Sequence, residues 1–282
     1  MDWNGTARNA AAFIEDNLTN SFSAKDIADH IHYSSFYFQR TFRETSGMSV
    51  GEYVRMRRLS RAAVELVRTD IKILDLAVKY GYDSPDSFTR AFTKYHGSTP
   101  REVRSGKATA KELPQLQTGY HKEGVTEMEY KLEKKQSFKV MGVSRNFDFE
   151  DSQVKIPMFW DEVMDSPEGS PVWGMYGICF DTPTDNNQFR YMIADDLDCE
   201  AAEAKGLEVI EIPEYNWVVV PCRGPVPEAF QALNRKIFSE WLPASEFEPA
   251  GEFNIEYYSD SSQYKLGTKD PEYYTEIWIP VK

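Results

Sequence analysis

An internal repeat in the first hundred or so residues constrains the fold more than any other feature of the sequence. Asp26, Ala28 and Tyr33 recur 49 residues later as Asp75, Ala77 and Tyr82. Ser34, Phe38, Arg40, Phe42, Gly47 and Glu52 recur 50 residues later as Ser84, Phe88, Arg90, Phe92, Gly97 and Glu102. The one-residue slip falls in a turn. Each copy reads as a short amphipathic helix, a tight turn, a second helix and a capped third segment, which is the layout of a helix-turn-helix unit. Ser23 with Asp26 forms a capping pattern, and Ser84 followed by Pro85 is an N-cap with proline at the first helical position. Gly47 and Gly97 stop the second helices where a left-handed residue is needed. Ser49 with Glu52 and Thr99 with Glu102 then restart helices as capping boxes.

Phe38 and Phe42, like Phe88 and Phe92, are four apart and share one helix face, while Arg40, Arg43, Arg90 and Lys94 point elsewhere. One face packs and another is free to reach out. Between the copies, Val50 to Arg68 carries Tyr53, Val54, Leu59, Ala62, Ala63, Leu66 and Val67 at helical spacing. A long connecting helix of this kind holds two reading helices apart, and major grooves on one DNA face recur about every 34 Å.

The net charge of −13 looks unsuited to a DNA-binding protein until it is counted by segment. Residues 1–110 hold 16 Lys and Arg against 13 Asp and Glu; the remainder holds 16 against 32. A mildly basic part joined to a strongly acidic one fits a chain in which only the first meets a polyanion. At 282 residues two domains are expected. No apolar run is long enough to span a bilayer, and the N-terminus carries no secretion signal, so a cytoplasmic protein is expected. Cys179, Cys199 and Cys222 are widely spaced and suggest reduced thiols rather than a disulfide or zinc framework.

The stretch from Gly81 to Arg104, GYDSPDSFTRAFTKYHGSTPREVR, resembles the signature of AraC/XylS-type transcription regulators, and the resemblance extends over residues 8–106. It implies that helices 34–46 and 84–96 enter adjacent major grooves. Ser35, Phe36, Gln39, Arg40 and Arg43 in the first, with Asp86, Ser87, Arg90 and Lys94 in the second, would then face DNA. Arginine can grip guanine with two hydrogen bonds, glutamine can do so with adenine, and Phe36 suits a thymine methyl. Asp86 either accepts from cytosine or only caps its helix beside Ser84.

Residues 105–124 are short of large apolar residues, show no sustained periodicity, and read as a linker. The expected division is a DNA-binding domain over 1–106, a linker over 107–124 and a second domain over 125–282. Beyond the linker, strand-like segments lie at 127–134, 137–147, 172–181, 188–197, 207–212, 215–222, 252–258 and 273–281, with helices at 152–164 and 226–241. The order strand, helix, strand, strand occurs twice. The expected architecture is therefore an all-α N-terminal domain, two helix-turn-helix units joined by a long helix, followed by an α+β domain of two similar halves.

This second part resembles the gyrase-inhibitor-like effector-binding domain, on Ile156-Pro-Met-Phe-Trp160, Val172-Trp-Gly-Met-Tyr-Gly-Ile178, Phe230 with Trp241-Leu-Pro-Ala-Ser245, Ile255-Glu-Tyr-Tyr258 and Tyr274-Thr-Glu-Ile-Trp-Ile-Pro-Val281. The chain as a whole resembles the right-origin-binding protein group. The resemblance implies a cleft that takes lipophilic, often cationic molecules, with Glu256 as the cleft carboxylate. Trp160, Tyr176, Tyr191, Trp217, Tyr257 and Trp278 are the candidate walls, subject to strand phase. A carboxylate among aromatic rings attracts an organic cation by charge and by cation–π contact.

The expected protein is thus a ligand-sensing, sequence-specific regulator acting as a monomer on promoter DNA, with RNA polymerase as a further partner. It is read as neither an enzyme nor a membrane protein, and as needing no metal or cofactor. The alternatives are a small-molecule hydrolase with Glu256 as general base, and an architectural DNA binder without sequence preference.

Overall fold

The computed structural model describes residues 3–115, 128–181 and 188–282. Residues 116–124 of the expected linker, and the first residue of the strand expected from 127, lie outside them. The chain forms two compact units. Of the described residues, one comprises Asn4–His32 and 48–115; the other joins Trp3 and Tyr33–Gly47 to 128–181 and 188–282.

Seven helices form along the N-terminal sequence: α1 (Trp3–Asn17), α2 (Ala24–His30), α3 (Ser35–Ser46), α4 (Val50–Arg68), α5 (Ile73–Lys79), α6 (Pro85–His96) and α7 (Pro100–Arg104). Their ends follow the capping chemistry. Ser23 and Asp26 cap α2 reciprocally, Thr99 and Glu102 do the same for α7, and Ser49 and Ser84 accept from the backbone of Glu52 and Ser87. Gly47 and Gly97 end α3 and α6 at φ of 75° and 80°, a conformation that a Cβ would strain. Helix α1 had no counterpart among the expected elements.

In the helical unit, Leu59, Ala62, Ala63 and Leu66 of α4 form the stripe expected from their spacing. They pack with Leu76 and Ala77 of α5, Phe88 and Phe92 of α6, and Val103 of α7. Two arginines of α4 serve as braces. Arg57 is buried and grips both carboxylate oxygens of Glu15 at 2.6 Å, and Arg58 donates to the carbonyls of Leu18 and Asn20 at 2.9 and 2.7 Å.

The described part of the expected linker is strapped to this unit. Ala108 and Ala110 pack on its core, and the Leu113 amide donates to Ser60 Oγ at 3.0 Å. The Lys111 amide donates to His96 Nδ1 at 3.0 Å, which leaves Nε2 to donate to the Leu59 carbonyl at 3.3 Å. Burial holds the His96 ring below its ordinary pKa of 6.5. A histidine held neutral in the fold binds fewer protons than it does unfolded, so its contribution is intact above about 6.5 and is lost as pH falls through that value. Melting temperature is expected to drop between about pH 7 and about pH 5.5, with a smaller drop in His96→Gln. Equal slopes in the two proteins would refute this role.

The other unit is built on β1 (Lys131–Lys135), β2 (Phe138–Asp148), α8 (Ser152–Met164), β3 (Tyr176–Asp181), β4 (Gln188–Asp196), α9 (Cys199–Lys205), β5 (Glu208–Ile212), β6 (Tyr215–Arg223), α10 (Glu228–Lys236), β7 (Phe253–Tyr258) and β8 (Tyr274–Val281). Helix α10 continues as a π-helical turn over Ile237–Trp241. The eight strands make one antiparallel sheet in the order β1-β6-β8-β7-β3-β4-β2-β5. Its two halves are β2-α8-β3-β4 and β6-α10-β7-β8, as expected from the twofold strand, helix, strand, strand order, and they meet where β3 pairs with β7. Helix α9 was not foreseen, although Asp198 caps its start and Gly206 its end.

Successive strand residues point to opposite faces. On one face Tyr191, Ile193, Val218, Val220, Ile277 and Ile279 pack with Phe159 of α8, Phe230 of α10, and Phe36 and Tyr37 of α3. On the other, Tyr176, Ile178, Met192, Trp217, Ile255 and Trp278 form a second cluster.

Candidate ligand cavity and nucleic-acid interface

Strand β7 runs along the middle of the sheet, and its alternation places Asn254, Glu256 and Tyr258 on the helix-bearing face while Phe253, Ile255 and Tyr257 face the other cluster. Glu256 pairs across with Gly177 of β3. A Cβ at Gly177 would lie 2.1 Å from Tyr191 Oη and 2.6 Å from Glu256 Oε2, so only glycine leaves room for this pair of side chains. Trp160 Nε1 donates to Tyr191 Oη at 2.9 Å, and Tyr191 Oη donates to Glu256 Oε2 at 2.6 Å. Tyr258 Oη donates to the same oxygen at 2.9 Å.

Glu256 is only 6% exposed. Loss of hydration pushes its carboxyl above the ordinary value of 4.5, against the opposing pull of the Tyr191 hydrogen bond, the Arg40 charge and the Tyr258 hydrogen bond. Over it lies a cavity of about 1340 Å³ bordered by Phe36, Trp160, Met164, Phe230 and Tyr258. Trp160 meets Tyr258 edge to face at 4.9 Å between ring centres, and Phe230 lies 5.7 Å from Tyr258. One desolvated carboxylate inside an aromatic enclosure is suited to an apolar cation and penalises an anion.

Of the candidate wall residues, the structure brings Trp160 and Tyr191 to Glu256. Tyr176, Trp217 and Trp278 lie on the opposite face, within 5.9 to 6.1 Å of one another through Trp278. Tyr257 borders the cavity, but its ring stacks on Trp278 at 5.8 Å and 13°. Tyr258 and Phe230 were not among the candidates. Tyr258 was within reach of sequence reasoning, since a residue two along a strand from Glu256 shares its face.

The two helices at corresponding places of the repeat, α3 and α6, differ. On α6, Asp86, Ser87, Arg90 and Lys94 are all exposed. Ser84 provides the cap, so Asp86 stands in the first turn, where a negative charge is favoured by the helix dipole. On α3, Ser35, Phe36 and Gln39 are buried, and Gln39 Nε2 donates to Ser35 Oγ at 3.3 Å. Arg40 is half-buried, and Arg43 donates to the Glu150 carbonyl at 3.0 Å.

Residues 128–282 match the family described as the GyrI-like small molecule binding domain, more than half of the chain. The chain belongs to the GyrI-like family. Residues 27–106 match a helix-turn-helix domain family. Over 92 residues the chain is 47% identical to the HTH-type transcriptional activator AarP of Providencia stuartii, covering 33% of this chain and 68% of that one. It is 39% identical over 104 residues to the right origin-binding protein of Escherichia coli, covering 37% of this chain and 36% of that protein. A putative bacterial transcription regulation protein from Staphylococcus aureus aligns over 55% of this chain and 99% of its own, at 23% identity and a TM-score of 0.46. A protein solved bound to tetraphenylphosphonium aligns over 55% and 94%, at 25% identity and a TM-score of 0.43.

The GyrI-like chain is therefore an AraC-type DNA-binding transcription regulator carrying a small-molecule binding domain. Among the described residues no helix is long and apolar enough to cross a membrane.

Proposed function

We propose that the chain is a sequence-specific regulator of promoters in the cytoplasm, and that its GyrI-like domain senses a lipophilic organic cation. The observation that carries the ligand reading is Glu256, a buried carboxylate that lines a large cavity together with Trp160, Phe230 and Tyr258. Trp160, Tyr191 and Tyr258 hold the acid in place, and the rings supply apolar and cation–π contact. The exposed Arg90 and Lys94 support DNA reading by α6, and Ser35, Phe36, Gln39, Arg40 and Arg43 supply the corresponding surface of α3 once it is uncovered. A ligand changes regulation only by binding one of two states more tightly, so the cation must favour the state that reads DNA, meets RNA polymerase, or fails to. One chain carries two reading helices, which suits action as a monomer.

Selection of duplexes from a random library by the full chain, followed by binding measurements over a range of salt, tests this reading. Arg90→Ala is expected to cost roughly 1–3 kcal/mol on the selected duplex and to relax one base position. Lys94→Ala is expected to weaken all duplexes alike and to flatten the salt dependence by about one unit of slope. Equal affinity for selected and random duplexes would sink the regulator reading. The raised carboxyl of Glu256 also suits a general base. Turnover of a bound molecule that disappears in Glu256→Gln would favour hydrolysis; saturable binding without product favours sensing.

A further inference from the structure

Arg40 and Arg90 occupy the same position of the internal repeat, yet their surroundings are opposite. Arg90 is exposed on α6. The Arg40 guanidinium lies 4.1 Å from the centre of the Phe238 ring and 5.7 Å from that of Phe36. One of its nitrogens donates to Asn254 Oδ1 at 2.5 Å and another to Asn234 Oδ1 at 2.6 Å. Asn254 is fully buried two residues from Glu256 on the same face of β7, and Arg40 borders the same cavity as Glu256. Asn254 Nδ2 has no partner among the described residues, so Arg40 supplies the polar contact that this buried amide makes.

The rest of the helix is adapted to the same contact. Where α6 carries Asp86 and Ser87, α3 carries Phe36 and Tyr37, both essentially without exposure. Tyr37 Oη donates to the Phe253 carbonyl at 2.8 Å, and its ring stacks on Phe238 at 6.2 Å and 25°. Helix α3 thereby inserts a flat, delocalised cation into an aromatic enclosure beside a buried acid, which is the chemistry that such a cavity offers an organic cation.

We propose that Arg40 is an internal ligand: the first reading helix parks its guanidinium in the cation place of the effector cavity, and an organic cation displaces it and frees α3 for DNA. This rests on the cavity reading above. An arginine hydrogen-bonded to Asn234 and Asn254 cannot at the same time grip a base, so DNA and the organic cation both favour the released helix. Each then raises the affinity of the other by the same factor.

The test uses the full chain and tetraphenylphosphonium, a permanent cation without hydrogen-bond donors, followed by tryptophan fluorescence. Arg40→Ala, which removes the competitor, is expected to bind the probe about tenfold more tightly than the unaltered chain. Glu256→Gln is expected to bind it about 30-fold more weakly. Asn234→Ala loosens Arg40 without changing α3. It is expected to raise affinity for a duplex selected from a random library about tenfold and to remove most of the enhancement that the probe gives the unaltered chain. Should Arg40→Ala bind the probe no better while Glu256→Gln loses it, the internal-ligand proposal fails and the cavity reading survives. Should Glu256→Gln bind as the unaltered chain does, both fail. Unchanged duplex affinity in Asn234→Ala also overturns the proposal, and decides the matter should Arg40→Ala not fold.

Discussion

Glu256→Gln is expected to cost the chain about 2–5 kcal/mol of affinity for a lipophilic cation, roughly 30-fold or more, because it removes the charge facing a desolvated positive ligand. Glutamine keeps an oxygen that can accept from Tyr191, so the loss should appear in binding more than in melting temperature. The same charge predicts the pH profile. Burial raises the carboxyl above 4.5, so on acidification it protonates before an ordinary carboxylate would, and affinity for a permanently charged cation falls with it. The loss on acidification therefore begins above 4.5 and is absent from Glu256→Gln. Calorimetric titration across that range checks it. A pH-independent affinity in the unaltered chain would mean that the carboxylate does not hold the cation.

Gly177→Ala is expected to destabilise the sheet unit by about 1–3 kcal/mol, the usual cost of forcing extra volume into a packed interior. The new methyl would lie 2.1 Å from Tyr191 Oη, at the end of a rigid ring that already holds hydrogen bonds to Trp160 and Glu256. At about 2–4 °C per kcal/mol, the melting temperature should fall by several degrees. Tyr191→Phe removes the nearest of the atoms that the methyl meets, so the double variant should lose less than the two single losses summed. Strict additivity would show that the methyl is accommodated elsewhere.

The helix ends and the connecting helix were legible because each depends on neighbours in sequence: a serine or threonine three residues ahead of the backbone N–H it caps, a glycine at the exit, an apolar residue every third or fourth place. Strand positions were legible for the same reason. The faces of the strands were not. Both sides of the sheet are buried, so Tyr176, Trp217 and Trp278 look in the sequence like Tyr191 and Tyr258, and no polar alternation marks which side holds Glu256. The burial of α3 rests on contacts between residues about 200 apart, beyond any local pattern. One cue was available. Phe36, Tyr37, Phe38 and Phe42 make α3 apolar on more than one side, and a helix without a clear polar face is a buried one. Its repeat partner α6, with Asp86 and Ser87 in those places, has the polar face that α3 lacks.

Strand β1 precedes the first half of the sheet in sequence but pairs with β6, in the second half. Neither half is therefore a self-sufficient piece of chain. Severing the backbone between Ile212 and Tyr215 would leave one polypeptide holding the border strand that the other needs, together with the β3 edge on which β7 is zipped. Two such fragments should regain structure only when mixed, and the sheet unit of the uncut chain should melt in a single cooperative step.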